Sequence, residues 1–174
     1  MIWVFSSNNT LYFWKYYAII IWEDFERIVV FMNILVDADA CPVKNIIVRI
    51  AKEKNINVFM FIDTSHILED GYSKIIIVDK GRDSVDIALI NKVSKGDIVV
   101  TQDFGVAALA LGKGAYAINQ NGLVYSNDNI DRLLFERHIS QKVRRANGRV
   151  SGPGKRTSED DKKFEESLKR LVMK

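Results

Sequence analysis

The sequence predicts an α/β fold in which a central, mainly parallel sheet is flanked by helices. Three observations predict it. Continuous apolar runs of strand length, such as INVFMFID at 56–63 and KIIIVD at 74–79, are what strands covered on both faces require. Segments whose apolar residues fall at helical spacing alternate with those runs, the order expected of βαβ units. Acidic residues recur just beyond the apolar runs, where an open parallel sheet presents its ligand-binding edge.

Taken in order, residues 33–36 read as a buried strand that ends at Asp37. Pro42 fits the first turn of the following helix, where its missing N–H costs nothing, and Val43, Ile46, Ile47 and Ile50 recur at helical spacing. The runs at 56–63 and 74–79 are the second and third strands. GRDSVDIALINKV, 81–93, is a helix with Val85, Ala88, Leu89 and Val93 inward, and DIVVT, 97–101, is the fourth strand. FGVAALALG, 104–112, is a small-residue helix closed by Gly112, AYAIN, 115–119, a fifth strand, and Asn121-Gly122 a turn. A helix from about 129 to 146 uses Ile130, Leu133 and Leu134, with Asp128 as its N-cap. The basic segment NGRVSGPGKR, 147–156, leads to a last helix that starts with a capping box of Ser158 and Asp161 and carries Phe164, Leu168 and Leu171 on one stripe.

With 174 residues, 48% hydrophobic and 27% charged, the chain has the composition of one soluble domain. Cys41 is the only cysteine, which excludes an internal disulfide and a disulfide-stapled secreted scaffold; a cytoplasmic protein is the simplest expectation. Charge is uneven. Up to Ser140 there are 14 Lys and Arg against 17 Asp and Glu, net −3; beyond it 11 against 5, net +6. An acidic body with a basic tail suits a metal site beside a surface that holds a polyanion, although a solvated tail has the same composition.

Residues 1–31 hold 10 of the 18 aromatics and all three Trp. Their apolar stretch from Leu11 to Trp22 is 12 residues long and contains Lys15, short of the roughly 20 residues a membrane helix needs. No membrane partner is therefore expected for the domain that follows. A membrane-surface segment, an added helix and translated upstream sequence all fit this stretch. The last is favoured because Met32 stands immediately before the first core strand, so the domain is expected to span 32–174.

Asp37 and Asp39 end the first strand, Asp83 and Asp86 open the helix after the third, and Asp103 follows the fourth. Three segments thus deliver carboxylates to one edge. Such a group repels itself unless a cation intervenes. Oxygen-only ligands favour Mg²⁺ or Mn²⁺, ions that acidify water and stabilise in-line phosphoryl displacement. Each acid also has a plainer role: Asp39 beside a helix N-terminus, Asp83 or Asp103 as a cap, Asp86 in a first turn. Asp86 is the most telling, since it lies among Val85, Ile87, Leu89 and Ile90.

VDADACPVK, GRDSVDIALI, GDIVVTQDFGVAALALGKGA, AINQNGLVY and SGPGKR together resemble the YaiI/YqxD family of bacterial proteins, within the PIN-like nuclease superfamily. The resemblance runs from Met32 nearly to the C-terminus, and residues 1–31 have no counterpart in it. It implies a PIN-like three-layer fold and an acidic Mg²⁺/Mn²⁺ pocket that hydrolyses RNA phosphodiesters. Asp37 and Asp39 match the first acidic motif, Asp86 the middle acid, Asp103 the acid after the fourth strand, and Asp83 an acid often found ahead of the middle one. In the role this implies, Asp37, Asp86 and Asp103 hold the ion, Asp39 is a ligand or water-orienting base, and Asp83 supports them. Two departures leave the acids in place: TQDFGVA stands where many relatives have TxDIPLA, and one Gly rather than two precedes Pro153.

Other chemistries are open to the same residues. ILVDADACPV also resembles the first motif of haloacid-dehalogenase-type phosphatases, which needs a later acid pair at one strand end. The best candidates, Asp97 and Asp103, would lie about 20 Å apart at opposite ends of one strand. Cys41 is a packed thiol or, less readily, a nucleophile, because the nearby aspartates disfavour its thiolate. His66 and His138 have no companion ligand motif. Arg144, Arg145, Arg149, Lys155 and Arg156 can track RNA phosphates, but no aromatics are interleaved for base stacking. A non-catalytic RNA-binding or regulatory protein that keeps the acids as structure is the alternative of a different class.

Overall fold

The apolar runs pair side by side into one sheet, because only ladder hydrogen bonds satisfy a buried backbone in extended conformation. The computed structural model describes residues 32–39, 41–64, 69–79, 81, 83–145 and 154–174. The expectations for residues 1–31, His66 and Arg149 lie outside them. The strands are β1 (Asn33–Asp37), β2 (Asn57–Asp63), β3 (Lys74–Val78), β4 (Ile98–Val100), β5 (Tyr116–Ile118) and β6 (Val124–Tyr125). Among the described residues five helices accompany them: α1 (Lys44–Lys54), α2 (Ser84–Lys92), α3 (Phe104–Gly112), α4 (Asn127–Arg145) and α5 (Ser158–Leu171). Met32–Lys174 forms a unit of its own in the chain.

Spatial order is β3-β2-β1-β4-β5-β6, and every neighbouring pair is parallel except β5 with β6. Alternation along the strands divides the core in two. Ile34 and Val36 of β1 join Val43, Ile47 and Ile50 near and on α1 and Phe164, Leu168 and Leu171 of α5. Leu35 of β1 and Val99 of β4 join Leu89 of α2, Val106, Ala107 and Ala110 of α3 and Ile130 of α4. Helices α1 and α5 thus cover one face and α2, α3 and α4 the other. The β1-α1-β2 and β4-α3-β5 units run outward in opposite directions, so right-handed crossovers put their helices on opposite faces. Between β1 and β4 the order reverses, the place outside the strands' carboxyl ends where open α/β sheets bind ligands.

The alternation of strands and helices is as the sequence predicts; several boundaries differ. Pro42 precedes the helix instead of opening it. A turn in which the Cys41 N–H donates to the Ala38 carbonyl (3.4 Å) makes Val43 the N-cap, and the Ile47 N–H closes the first helical bond onto Val43 (3.0 Å). Asp128 lies in the first turn of α4 rather than at its cap, because the Asn129 side chain folds back: its Oδ1 accepts from the Ser126 N–H (3.0 Å) and its Nδ2 donates to the Val124 carbonyl (3.1 Å). The capping box of α5 sits one residue earlier than expected. Thr157 Oγ1 accepts from the Asp160 N–H (3.3 Å) and Asp160 Oδ2 from the Thr157 N–H (2.9 Å). Strand β6 is a finding of the structure, since two residues are too few to show a period. Asn121-Gly122 does turn the chain, and Gly122 has φ +83°.

Candidate functional site

The reversal between β1 and β4 fixes two side chains first. Val36 pairs with Val100, so Asp37 and Thr101 follow at the carboxyl ends of adjacent strands and, by alternation, on the side of α2, α3 and α4. Thr101 Oγ1 donates to Asp37 Oδ2 (3.2 Å) and accepts from the Asp103 N–H (3.0 Å). One hydroxyl thereby ties the ends of the two strands together. Burial pushes the Asp37 carboxyl above its ordinary range; the Thr101 hydroxyl opposes this, and the charges of Asp39 and Asp103 add to it.

Asp86 reaches the same place from the first turn of α2. Burial and the charges of Asp37, Asp103 and Asp83 together, against Arg137, push its carboxyl up to about 6. Asp103 is the N-cap of α3: its Oδ1 accepts from the N–H groups of Gly105 (2.7 Å) and Val106 (3.2 Å). Its Oδ2 is taken by Arg137 Nη1 of α4 at 2.7 Å. Burial raises Asp103, but the Arg137 contact and the two amides outweigh it and hold the carboxyl below its ordinary range. The capping role and the site role expected of Asp103 thus fall on different oxygens of one side chain.

Asp39 turns toward β2, where both its oxygens lie near the Asp63 N–H (3.2 and 3.3 Å). Asp83 holds the N-cap position of α2 at φ +60° without a capping side-chain bond, a conformation that Asp tolerates better than most residues. Lys44 Nζ donates to the Ala38 carbonyl at 2.8 Å, between the two first-strand acids. Lys44 and Arg137 bring cationic side chains to the acids from helices α1 and α4. Arg137 was legible: it follows Ile130, Leu133 and Leu134 at the spacing of the core-facing stripe, as a charge on an apolar face.

Buried Cys41 has its thiol pushed up to about 11, first by desolvation, so it remains protonated and is no nucleophile at neutral pH. Asp97, the acid a phosphatase of the dehalogenase type would recruit, is buried before β4. It accepts from Asn33 N–H and Nδ2 (2.9 Å each) and from the Ser94 N–H (2.8 Å), at the opposite end of the strand from Asp103. Of the basic residues, Arg144 and Arg145 are exposed at the end of α4 and Lys155 is exposed before α5. Arg156 instead grips Asp161 (2.7 Å) and Asn121 (3.1 Å), joining the β5–β6 turn to α5.

Asp37, Asp86 and Asp103 offer carboxylate oxygen alone, the donor chemistry of Mg²⁺ or Mn²⁺. Among the described residues no three His, Cys, Asp or Glu side chains stand at the mutual spacing of ligands on one ion. Asp37 and Asp86 fit such an ion by chemistry and by their mutual repulsion; Asp103 fits once its Oδ2 leaves Arg137. Asp39 and Asp83 stand at the rim.

A carboxyl whose folded-state pKa exceeds its unfolded one binds its proton more tightly when folded, so stability falls as pH rises from 3.8 toward about 6. Without divalent cations, the thermal midpoint is expected to be higher at about pH 5 than at about pH 7.5. Asp86→Asn should shrink that difference. Melting curves at the two pH values check this, and an unchanged difference in the variant would place its origin elsewhere.

The sequence pattern of the family described as "Uncharacterized BCR, YaiI/YqxD family" matches residues 35–174, which include every acid of the site and Arg137. The chain is 66% identical over 137 residues to a UPF0178 protein of Ruminiclostridium cellulolyticum, covering 79% of this chain and 90% of that protein. It is 59% identical over 145 residues to a UPF0178 protein of Clostridium acetobutylicum (82% and 98%), and 57% identical over 143 residues to one of Clostridium tetani (82% and 98%). No solved structure matches the chain. No helix among the described residues is long and apolar enough to cross a membrane.

Proposed function

The chain belongs to the YaiI/YqxD family, and from that premise we propose that it is a metal-dependent ribonuclease of the PIN-like kind, acting on RNA phosphodiester bonds. One observation carries this reading: Asp37, Asp86 and Asp103 come from three separate segments to the sheet edge where the strand order reverses, and burial, with the charges of Asp37 and Asp103 adding to it, pushes the Asp86 carboxyl up to about 6. A chain that gathers like charges in a partly buried crevice, against its own stability, has use for a cation there.

Asp37 and Asp86 would hold the ion, and Asp103, whose Oδ2 is taken by Arg137, would be the third ligand. Bound there, Mg²⁺ or Mn²⁺ supplies an acidified water and a positive charge opposite the developing oxyanion. Thr101 keeps the Asp37 carboxylate oriented. Asp39, two residues beyond β1 and turned toward the Asp63 N–H, adds negative charge beside Asp37. Arg144 lies seven residues beyond Arg137, nearly on the same face of α4 and roughly 10 Å along its axis, so the two mark a path for phosphates leading away from the acids. The exposed Arg145 and Lys155 extend the basic surface, and cytoplasmic RNA is the substrate class that fits.

The test is cleavage of labelled single-stranded RNA with Mn²⁺, with EDTA in its place, and by Asp103→Asn. Cleavage is expected with Mn²⁺ only, and to fall at least about tenfold in the variant, whose amide is a poorer ligand. A second reading, a non-catalytic RNA-binding protein, draws on the Asp103–Arg137 ion pair, which explains Asp103 without a metal. Under that reading RNA is bound equally with Mn²⁺ and with EDTA, and is never cut.

A further inference from the structure

The arginine nearest the acids is itself held by one of them. Arg137 donates through Nη1 to Asp103 Oδ2 at 2.7 Å, while the other oxygen of Asp103 is fixed by the amides of α3. Oδ2 is thus the oxygen through which Asp103 meets the crevice, and Arg137 covers it. The guanidinium lies over the Phe104 ring, 5.7 Å from its centroid, and Phe104 stands edge-on to Tyr125 at 5.9 Å. Those rings hold the fork at the carboxyl edge of the sheet. Yet the pair is open to water, with side-chain exposures of 40% for Arg137 and 32% for Asp103, and exposed pairs of this kind are weak.

We infer that Arg137 is the phosphate-contacting residue of the site and shares Asp103 with the divalent cation, so that each ligand displaces one half of a single ion pair. The inference rests on the proposed nuclease reading and deepens it. A guanidinium presents five N–H donors in a fork that matches phosphate oxygens. With the ion absent, the fork stays on Asp103 and neutralises it; when a cation claims Oδ2, the fork is released toward a phosphate in the crevice. Phosphate on Arg137 frees Oδ2 in turn. By linkage, each ligand strengthens the other by the same factor. Arg137 thereby has two functions that a purely structural arginine lacks: it competes with the cation and it recruits the anion.

The experiment compares the intact chain with Arg137→Gln and Arg137→Lys. Mn²⁺ binding is measured by calorimetry in phosphate-free buffer, and binding of a non-cleavable 2′-O-methyl oligoribonucleotide is measured in EDTA. Arg137→Gln is expected to bind Mn²⁺ about three- to tenfold tighter, since no guanidinium has to leave. The same variant should bind the oligonucleotide several-fold more weakly. Arg137→Lys, which keeps the charge without the fork, should fall between on both measures, and it decides the matter if the Gln variant does not fold. Unchanged or weaker Mn²⁺ binding in the variants, with the intact chain binding well, overturns the inference and leaves the nuclease reading standing. Undiminished oligonucleotide binding overturns it as well. Absence of Mn²⁺ binding in all three proteins overturns both.

Discussion

Asp37→Asn is expected to lower RNA cleavage at least about a hundredfold while leaving the thermal midpoint unchanged or raised. The two halves of this outcome have one cause. Asp37 sits at the end of β1 with its carboxyl pushed up by burial and by its acidic neighbours, and its charge helps drive Asp86 to about 6. An amide of the same shape still accepts the Thr101 hydroxyl and ends the repulsion, so the fold gains what the cation loses. Sites of this kind trade stability for function. Cleavage assays run beside melting curves on the two proteins give the result directly. A parallel fall in rate and midpoint would assign Asp37 to the fold, and cleavage within a few-fold of the parent would remove it from the chemistry.

The largest effect on stability is expected at Gly122, in the turn between β5 and β6. Its φ of +83° is strained for any side chain, and an added Cβ would lie 2.7 Å from the backbone carbon and oxygen of Lys163 and 2.9 Å from the Phe164 nitrogen. Those are main-chain atoms of α5, held by the burial of Phe164 and Leu168, and they cannot swing aside. Gly122→Ala should therefore cost about 3 kcal/mol, combining left-handed strain with overpacking, and lower the midpoint by roughly 10 °C. Gly71 provides the control. It has φ +67° but nothing within 4 Å of its Cβ direction, so Gly71→Ala should cost only the strain, about 1 kcal/mol. Equal losses at the two positions would show that backbone conformation alone, and not the approach of α5, sets the cost at Gly122.

The close approach at Gly122 is accompanied by a polar clasp between the same turn and α5. Arg156 binds Asn121 of the same turn and Asp161 of α5, so the residue read from the sequence as one of five bases on a nucleic-acid path is instead spent locally. Arg144 and Arg145 remain on the exposed end of α4, continuing the line that begins at Arg137. A basic residue in a sequence carries no sign of whether a partner stands nearby. The same holds for Lys44, whose contact with the Ala38 carbonyl depends on how α1 leaves its turn.

What the sequence determined by itself was everything that follows from local period and position. Apolar runs of strand length alternating with helical stripes point to a parallel sheet, although β3 lies at its edge with Ile77 63% exposed rather than covered on both faces, and such a sheet places Asp37, Asp86 and Asp103 toward its carboxyl edge. The Asn121-Gly122 turn and the apolar stripe of α5 were equally legible, because a turn or a stripe is written in consecutive residues. Tertiary structure alone decided which charges meet. Arg137 lies 34 residues from Asp103, and their contact exists because α3 and α4 pack at one register on the same face of the sheet. Thr101 lies 64 residues from Asp37 in sequence and reaches it because β1 and β4 pair. Periodicity fixes a residue's face to within a side chain's width, whereas an ion pair or hydrogen bond requires placement to a few tenths of an ångström, and that precision comes only from the assembled core.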